Sequence, residues 1–87
     1  MDISQFGYLF EELSDDEVLR IELVNGNKIY YLPSDTFIEE TTTIGIIKPI
    51  KKDKRQQIII DVKSIVVVCT MSRQTYDLKL KSGELYV

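Results

Sequence analysis

The densest apolar stretch of the chain is Gln57 to Thr70, QIIIDVKSIVVVCT, and the other elements must be arranged around it. Ile58, Ile59, Ile60, Val62, Ile65, Val66, Val67 and Val68 are all β-branched, and their stiffness at χ1 suits a pleated sheet better than a helix. Burial of each is worth roughly 1.5–3 kcal/mol as an upper figure, so this segment can supply much of a small domain's stability. Asp61, Lys63 and Ser64 interrupt it. The pattern predicts two short interior strands joined by one tight, 3₁₀-like turn.

Upstream, Ile3, Phe6, Leu9, Phe10 and Leu13 recur at helical spacing and predict a short helix capped by Asp2 or Ser4. Gly7 weakens that helix by about 1 kcal/mol relative to alanine, so packing must hold it. Ser14-Asp15-Asp16-Glu17 ends the pattern. From Val18 to Val24, Leu19, Ile21 and Leu23 alternate with Arg20 and Glu22, the signature of a half-buried strand. Asn25-Gly26-Asn27 tolerates positive φ and turns the chain into Lys28–Leu32, a β-hairpin. Pro33-Ser34-Asp35 stops the second strand, because proline offers no N–H to the ladder.

Phe37 and Ile38 predict a short strand or a turn into the core, and Glu39–Thr43 an exposed strand or loop. Gly45, inside apolar Ile44–Ile47, predicts a bulge or sharp bend. Lys51 to Arg55 forms the polar tip of a hairpin leading into Gln57–Val62. Beyond Ser72, Tyr76, Leu78 and Leu80 alternate with Asp77 and Lys79, and Ser82-Gly83 follows, which predicts a C-terminal strand or hairpin over 75–87.

The expected fold is mainly β: a short N-terminal helix (1–14), then a small, strongly bent antiparallel barrel of five to seven strands, its body over 17–70. Eighty-seven residues make a single domain, and an apolar fraction of 44% with five tyrosines and three phenylalanines is enough for a core. No apolar run reaches the length of a bilayer span, and MDISQF has no basic stretch of the signal-peptide kind, so no membrane association is expected. One cysteine, Cys69, forms no internal disulfide, and a reducing, cytoplasmic setting is the expectation. Net charge is −3, but unevenly spread. Residues 1–40 hold ten acids against Arg20 and Lys28, whereas 41–87 hold nine bases against four acids. That asymmetry favours head-to-tail self-association or a charged partner unless the fold interleaves the halves.

Two segments carry a family resemblance. Leu23-Val24-Asn25-Gly26-Asn27-Lys28-Ile29 with Ser34-Asp35-Thr36-Phe37-Ile38 resembles the first motif of the Sm-like proteins, and Ile60–Val68 resembles their second, where two strands meet through one turn. The resemblance covers roughly residues 3–70. It implies a helix followed by five bent strands and, for the RNA-binding members, nucleic-acid contact. Asp61-Val62 stands where those members place a basic pair, so their RNA-contacting residues do not carry over. SH3-like barrels, built from similar strands, fit the same layout.

Catalytic equipment is sparse. The chain has no histidine, which removes the usual general base and the commonest metal ligand together. Cys69 lies in a valine-rich strand with no visible activator. The acidic pairs lack the spacing of a calcium loop, so neither a metal nor another cofactor is expected, and no small-molecule substrate is evident. Two groups remain as candidate contacts. Lys48, Lys51, Lys52, Lys54 and Arg55 crowd one hairpin, where they can grip phosphates or an acidic partner, or simply keep the hairpin soluble and its edge unpaired. Tyr30 and Tyr31 are strand neighbours, so one ring should be buried and the other exposed for stacking or an interface. The sequence thus points to a non-enzymatic protein-interaction or assembly module, with nucleic-acid binding through the 48–55 hairpin as the alternative.

Overall fold

A computed structural model describes residues 5–83. Its order is α1 (Tyr8–Glu11), β1 (Glu17–Leu23), β2 (Lys28–Tyr31), β3 (Thr36–Glu39), β4 (Thr43–Lys51), β5 (Lys54–Asp61), a 3₁₀ turn (Val62–Ser64), β6 (Ile65–Ser72) and α2 (Arg73–Lys81). The strands make two three-stranded antiparallel sheets, β2-β1-β6 and β3-β4-β5, which do not close into a barrel. The fold is therefore mainly β, with six strands among the described residues, as a pair of sheets.

Alternation along β1 drives the core. Leu19 and Ile21 face inward with Tyr31 and Ile65 from the first sheet, and meet Ile44, Ile46 and Ile60 from the second. Phe6 and Phe10 close one side of this cluster, with Phe10 stacked on Phe37 at 4.0 Å and edge-on to Tyr31 at 4.9 Å. The N-terminal helix is a single turn, shorter than the 1–14 span expected. Gly7 already has helical dihedrals there and supplies no side-chain cap. The Asp2 and Ser4 caps lie outside the described residues. The acidic run that follows is a turn stitched by Ser14, whose hydroxyl bonds Asp16 Oδ1 and Glu17 Oε1 at 2.7 Å each.

The β1–β2 hairpin turns where expected, with Gly26 at φ 88° and Asn25 Oδ1 accepting from the Asn27 N–H. The turn between β5 and β6 is a 3₁₀ turn, and Asp61 caps it by accepting from the Lys63 N–H.

Three expectations need correcting. First, β5 and β6 are not interior strands. They belong to different sheets and each lies at an edge. Ile60, Val62 and Ile65 are buried, but Ile59 is 68% exposed, Val66 50% and Val67 36%. Second, Gly45 sits in regular register between Ile38 and Ile59, and the bulge falls at Pro49–Lys51 instead, where proline has no N–H for the ladder. Third, 73–81 is a helix, not a strand. Ser72 caps it by accepting from the Thr75 N–H, Arg73 bonds Asp77 one turn on, and Tyr76 and Leu80 share a face at i, i+4 spacing. The part of the expected hairpin over 84–87 lies outside the described residues.

Candidate functional site

The bulge and the tight tip carry the β4–β5 hairpin beyond the core. Asp53 adopts φ 71° at that tip, a conformation aspartate tolerates better than most residues. Lys51, Lys52, Lys54 and Arg55 are exposed and make no ion pair among the described residues. Lys48 does not belong with them. Its ammonium pairs with Asp35 at the bend between β2 and β3, and the two side chains are only 14% and 5% exposed. Asp35 Oδ2 also accepts from the Leu32 N–H at 3.0 Å, while its backbone carbonyl accepts from the Tyr31 hydroxyl at 3.2 Å. The bend is thereby tied to the second sheet. Of the five cations expected to act together, the structure brings four to the tip and uses the fifth as a brace.

Tyr30 and Tyr31 do face opposite sides. Tyr31 is 7% exposed in the core. Tyr30 is half-buried rather than free, because α2 places the Tyr76 ring 5.4 Å from it. Burial raises the hydroxyl pKa of Tyr30, Tyr31 and Tyr76 alike; Arg20 opposes the shift at Tyr30, and Arg73 opposes it at Tyr76. All three are neutral hydrogen-bond donors at physiological pH.

Tyr76, Asp35 and Gln56 are the residues sequence reasoning missed. Tyr76 was hidden by its false strand pattern. Asp35, one residue after Pro33-Ser34, is well placed to accept a nearby N–H, and that turn chemistry is the sequence signal for it. Together with Tyr30, Lys48, Ile29 and Ile58 these side chains line an open cleft where β2, the β4–β5 hairpin and α2 meet, with adjoining lobes of about 160 and 320 Å³. On the outer face of the first sheet, Arg20 lies in register with both Tyr30 and Cys69. Its Nε is enclosed without a hydrogen-bond partner among the described residues and reaches Glu22 at 3.7 Å.

The third feature is the pair of long edges. Among the described residues, β5 pairs only with β4 and β6 only with β1, each along eight residues. Comparison with protein-family models, with curated proteins and with solved structures finds no significant match.

Proposed function

We propose that this chain is a non-enzymatic interaction and assembly module that engages a second protein chain, or a copy of itself, through the open edges of β5 and β6. The observation that carries this reading is the pairing of two eight-residue unpaired edges with exposed Ile59, Val66 and Val67. A bare edge is a row of unmet N–H and C=O groups, and proteins ordinarily blunt it with charge, proline or a covering element. Here β6 is apolar for most of its length, and the charges of β5 are confined to its first two residues and its last. Strand addition supplies both the backbone bonds and the apolar cover. The absence of histidine from the chain supports a role without acid–base catalysis. Cytoplasm is the setting that fits a single, unpaired cysteine.

On the same reading, the two sheets are halves of a bent barrel of Sm-like or SH3-like type. Two features support it: β2 passes into β3 across four residues, and β5 passes into β6 through one 3₁₀ turn. Light scattering on the eluting protein tests the assembly reading. The expected mass exceeds the 10.1 kDa of one chain and falls towards it for Ile59→Lys combined with Val66→Lys. A monomer at every concentration that forms no stoichiometric complex would overturn it.

A second reading rests on Lys51, Lys52, Lys54 and Arg55, four exposed cations on one projecting tip, unpaired among the described residues, that can contact nucleic-acid phosphates. It predicts binding that weakens with salt, with a log–log slope near −0.7 per phosphate for a single strand, and is lost in Lys51→Glu/Lys52→Glu/Lys54→Glu. No retention of an oligonucleotide at low salt would end it.

A further inference from the structure

We infer that the cleft between β2, the β4–β5 hairpin and α2 binds a small ligand made of one planar ring bearing a phosphate or carboxylate. The site shares Gln56 and Ile58 with β5, but the inference does not rest on the sheet-edge reading.

The smaller lobe is the ring site. It has about 160 Å³, walled by Ile29 and Ile58 and by the rings of Tyr30 and Tyr76, which are inclined at 50° to each other. An enclosed apolar cavity of roughly 150 Å³ accommodates benzene; this lobe is open on one side, and its size admits one six-membered ring. Aromatic walls favour an aromatic guest through edge and offset contacts.

The polar end is defined by donors. Lys48 lines both lobes, and its ammonium has three N–H groups, of which Asp35 takes one. The remaining two have no acceptor among the described residues. Asp35 itself is only 5% exposed and already accepts from Leu32 and Lys48; its charge reaches Tyr76 but is balanced at contact distance by the Lys48 ammonium. Gln56 and Lys28 line the ring lobe, and Lys28 holds Glu22 only at 3.8 Å. The neutral Tyr30 and Tyr76 hydroxyls add donors rather than repulsion. The Lys48 and Lys28 ammoniums both line the ring lobe with N–H groups left over from their Asp35 and Glu22 partners, and an anion is the group that uses them best. The second lobe, open past Ile50, leaves room for substituents on the anionic group.

The probe is phenyl phosphate, titrated into the ¹⁵N-labelled protein, with benzyl alcohol and inorganic phosphate as controls. For so small a ligand a dissociation constant of about 0.1–10 mM is expected. Shifts should concentrate on the amides of Ile29, Tyr30, Lys48, Gln56, Ile58 and Tyr76, and both controls should bind at least about tenfold more weakly. Tyr30→Leu should weaken binding about fivefold and Lys48→Met about tenfold. Lys28→Gln, on an exposed side chain, provides a loss of affinity in a protein whose fold is undisturbed. A parallel titration with hexauridylate distinguishes the two sources of such a ligand. A free metabolite-like anion is insensitive to Lys51→Glu/Lys52→Glu, whereas a nucleotide within a strand loses affinity with it. Shifts scattered over the surface, equal binding of benzyl alcohol, or unchanged affinity in folded Tyr30→Leu would each overturn the assignment.

Discussion

The Asp35–Lys48 pair gives the most direct test of how the two sheets are held. Asp35 sits in the bend that carries the chain from β2 to β3, in different sheets, and Lys48 lies on β4 of the second sheet. Removing one partner of a buried pair costs roughly 3–5 kcal/mol, because the other charge is left without compensation. Lys48 retains 14% exposure and a flexible stem, so an orphaned ammonium can reach water and the lower end applies. Asp35→Ala also removes the acceptor for the Leu32 N–H, worth about 1 kcal/mol. The expected losses are about 4 kcal/mol for Asp35→Ala and about 3 kcal/mol for Lys48→Met, which leaves the Asp35 carboxylate buried without its partner. In the double variant no orphaned charge remains, so the loss should be about 4 kcal/mol rather than the sum of about 7, a coupling of about 3 kcal/mol. Urea unfolding followed by circular dichroism measures all four proteins, since an 87-residue domain is expected to unfold in two states. Additivity within about 0.5 kcal/mol would refute the brace and return Lys48 to the tip cations.

Other measurements bear on separate elements. Tyr76→Ala should destabilise the protein by about 3 kcal/mol and abolish amide protection across α2; a loss below about 1 kcal/mol would mean the helix is not docked. Ser72→Ala should cost about 1 kcal/mol through its cap, detected by the same exchange experiment confined to residues 73–76. Gly26→Ala should cost about 1 kcal/mol although a Cβ there meets nothing within 4 Å, so the penalty in urea unfolding reports the backbone at φ 88° alone. In an alkaline titration the tyrosine contribution to stability should be fully present below pH 10.0 and decline above it. The pKa values of Tyr30, Tyr31 and Tyr76 are raised in the folded state, so above the ordinary tyrosine value the unfolded chain releases protons that the native chain retains. Stability still rising through that range would contradict their burial.

What the sequence disclosed and what it hid divide along a physical line. Local chemistry was legible: Asn25-Gly26-Asn27 needs positive φ, Pro33 blocks a ladder, and Asp61-Val62-Lys63-Ser64 interrupts two β-branched runs. Strand order was not legible, because it depends on long-range pairing. Ile59, Val66 and Val67 look like core by composition, yet their strands are the last in their sheets and half their apolar faces meet water. Period-2 reading failed at Tyr76-Asp77-Leu78-Lys79-Leu80 because Tyr76 and Leu80 satisfy both a strand alternation and a helical i, i+4 pair. Absence of β-branched residues from Tyr76 to Lys81, with Ser72 ahead of them, is the signal that decides for a helix. The candidate site suffered most from this error, since without α2 the cleft has no roof and Tyr30 is free.

The uneven charge along the chain also acquires a direction once the edges are known. The N-terminal end of β5 is the basic tip, and the C-terminal end of β6 lies beside the acidic turn, where the Arg73 N–H bonds the Asp16 carbonyl and Glu17 pairs in register with Ser72. If β6 of one copy docks antiparallel on β5 of another, Asp15 and Asp16 fall opposite Lys54 and Arg55, and Lys63 falls opposite Asp61. A parallel arrangement would instead set Lys63 against the tip and the acidic turn against Asp61. Like charges placed together oppose docking, so electrostatics selects the antiparallel register. The two edges are different surfaces, so such a contact is heterologous and propagates until it closes or runs on as a filament. Lys54→Glu with Arg55→Glu should therefore lower the assembled mass, and adding Asp15→Lys with Asp16→Lys in the same chain should restore it. Restoration by these reversals separates a specific β6-on-β5 contact from mere stickiness of exposed valine and isoleucine, which has no reason to respond to exchanged charges at the two ends.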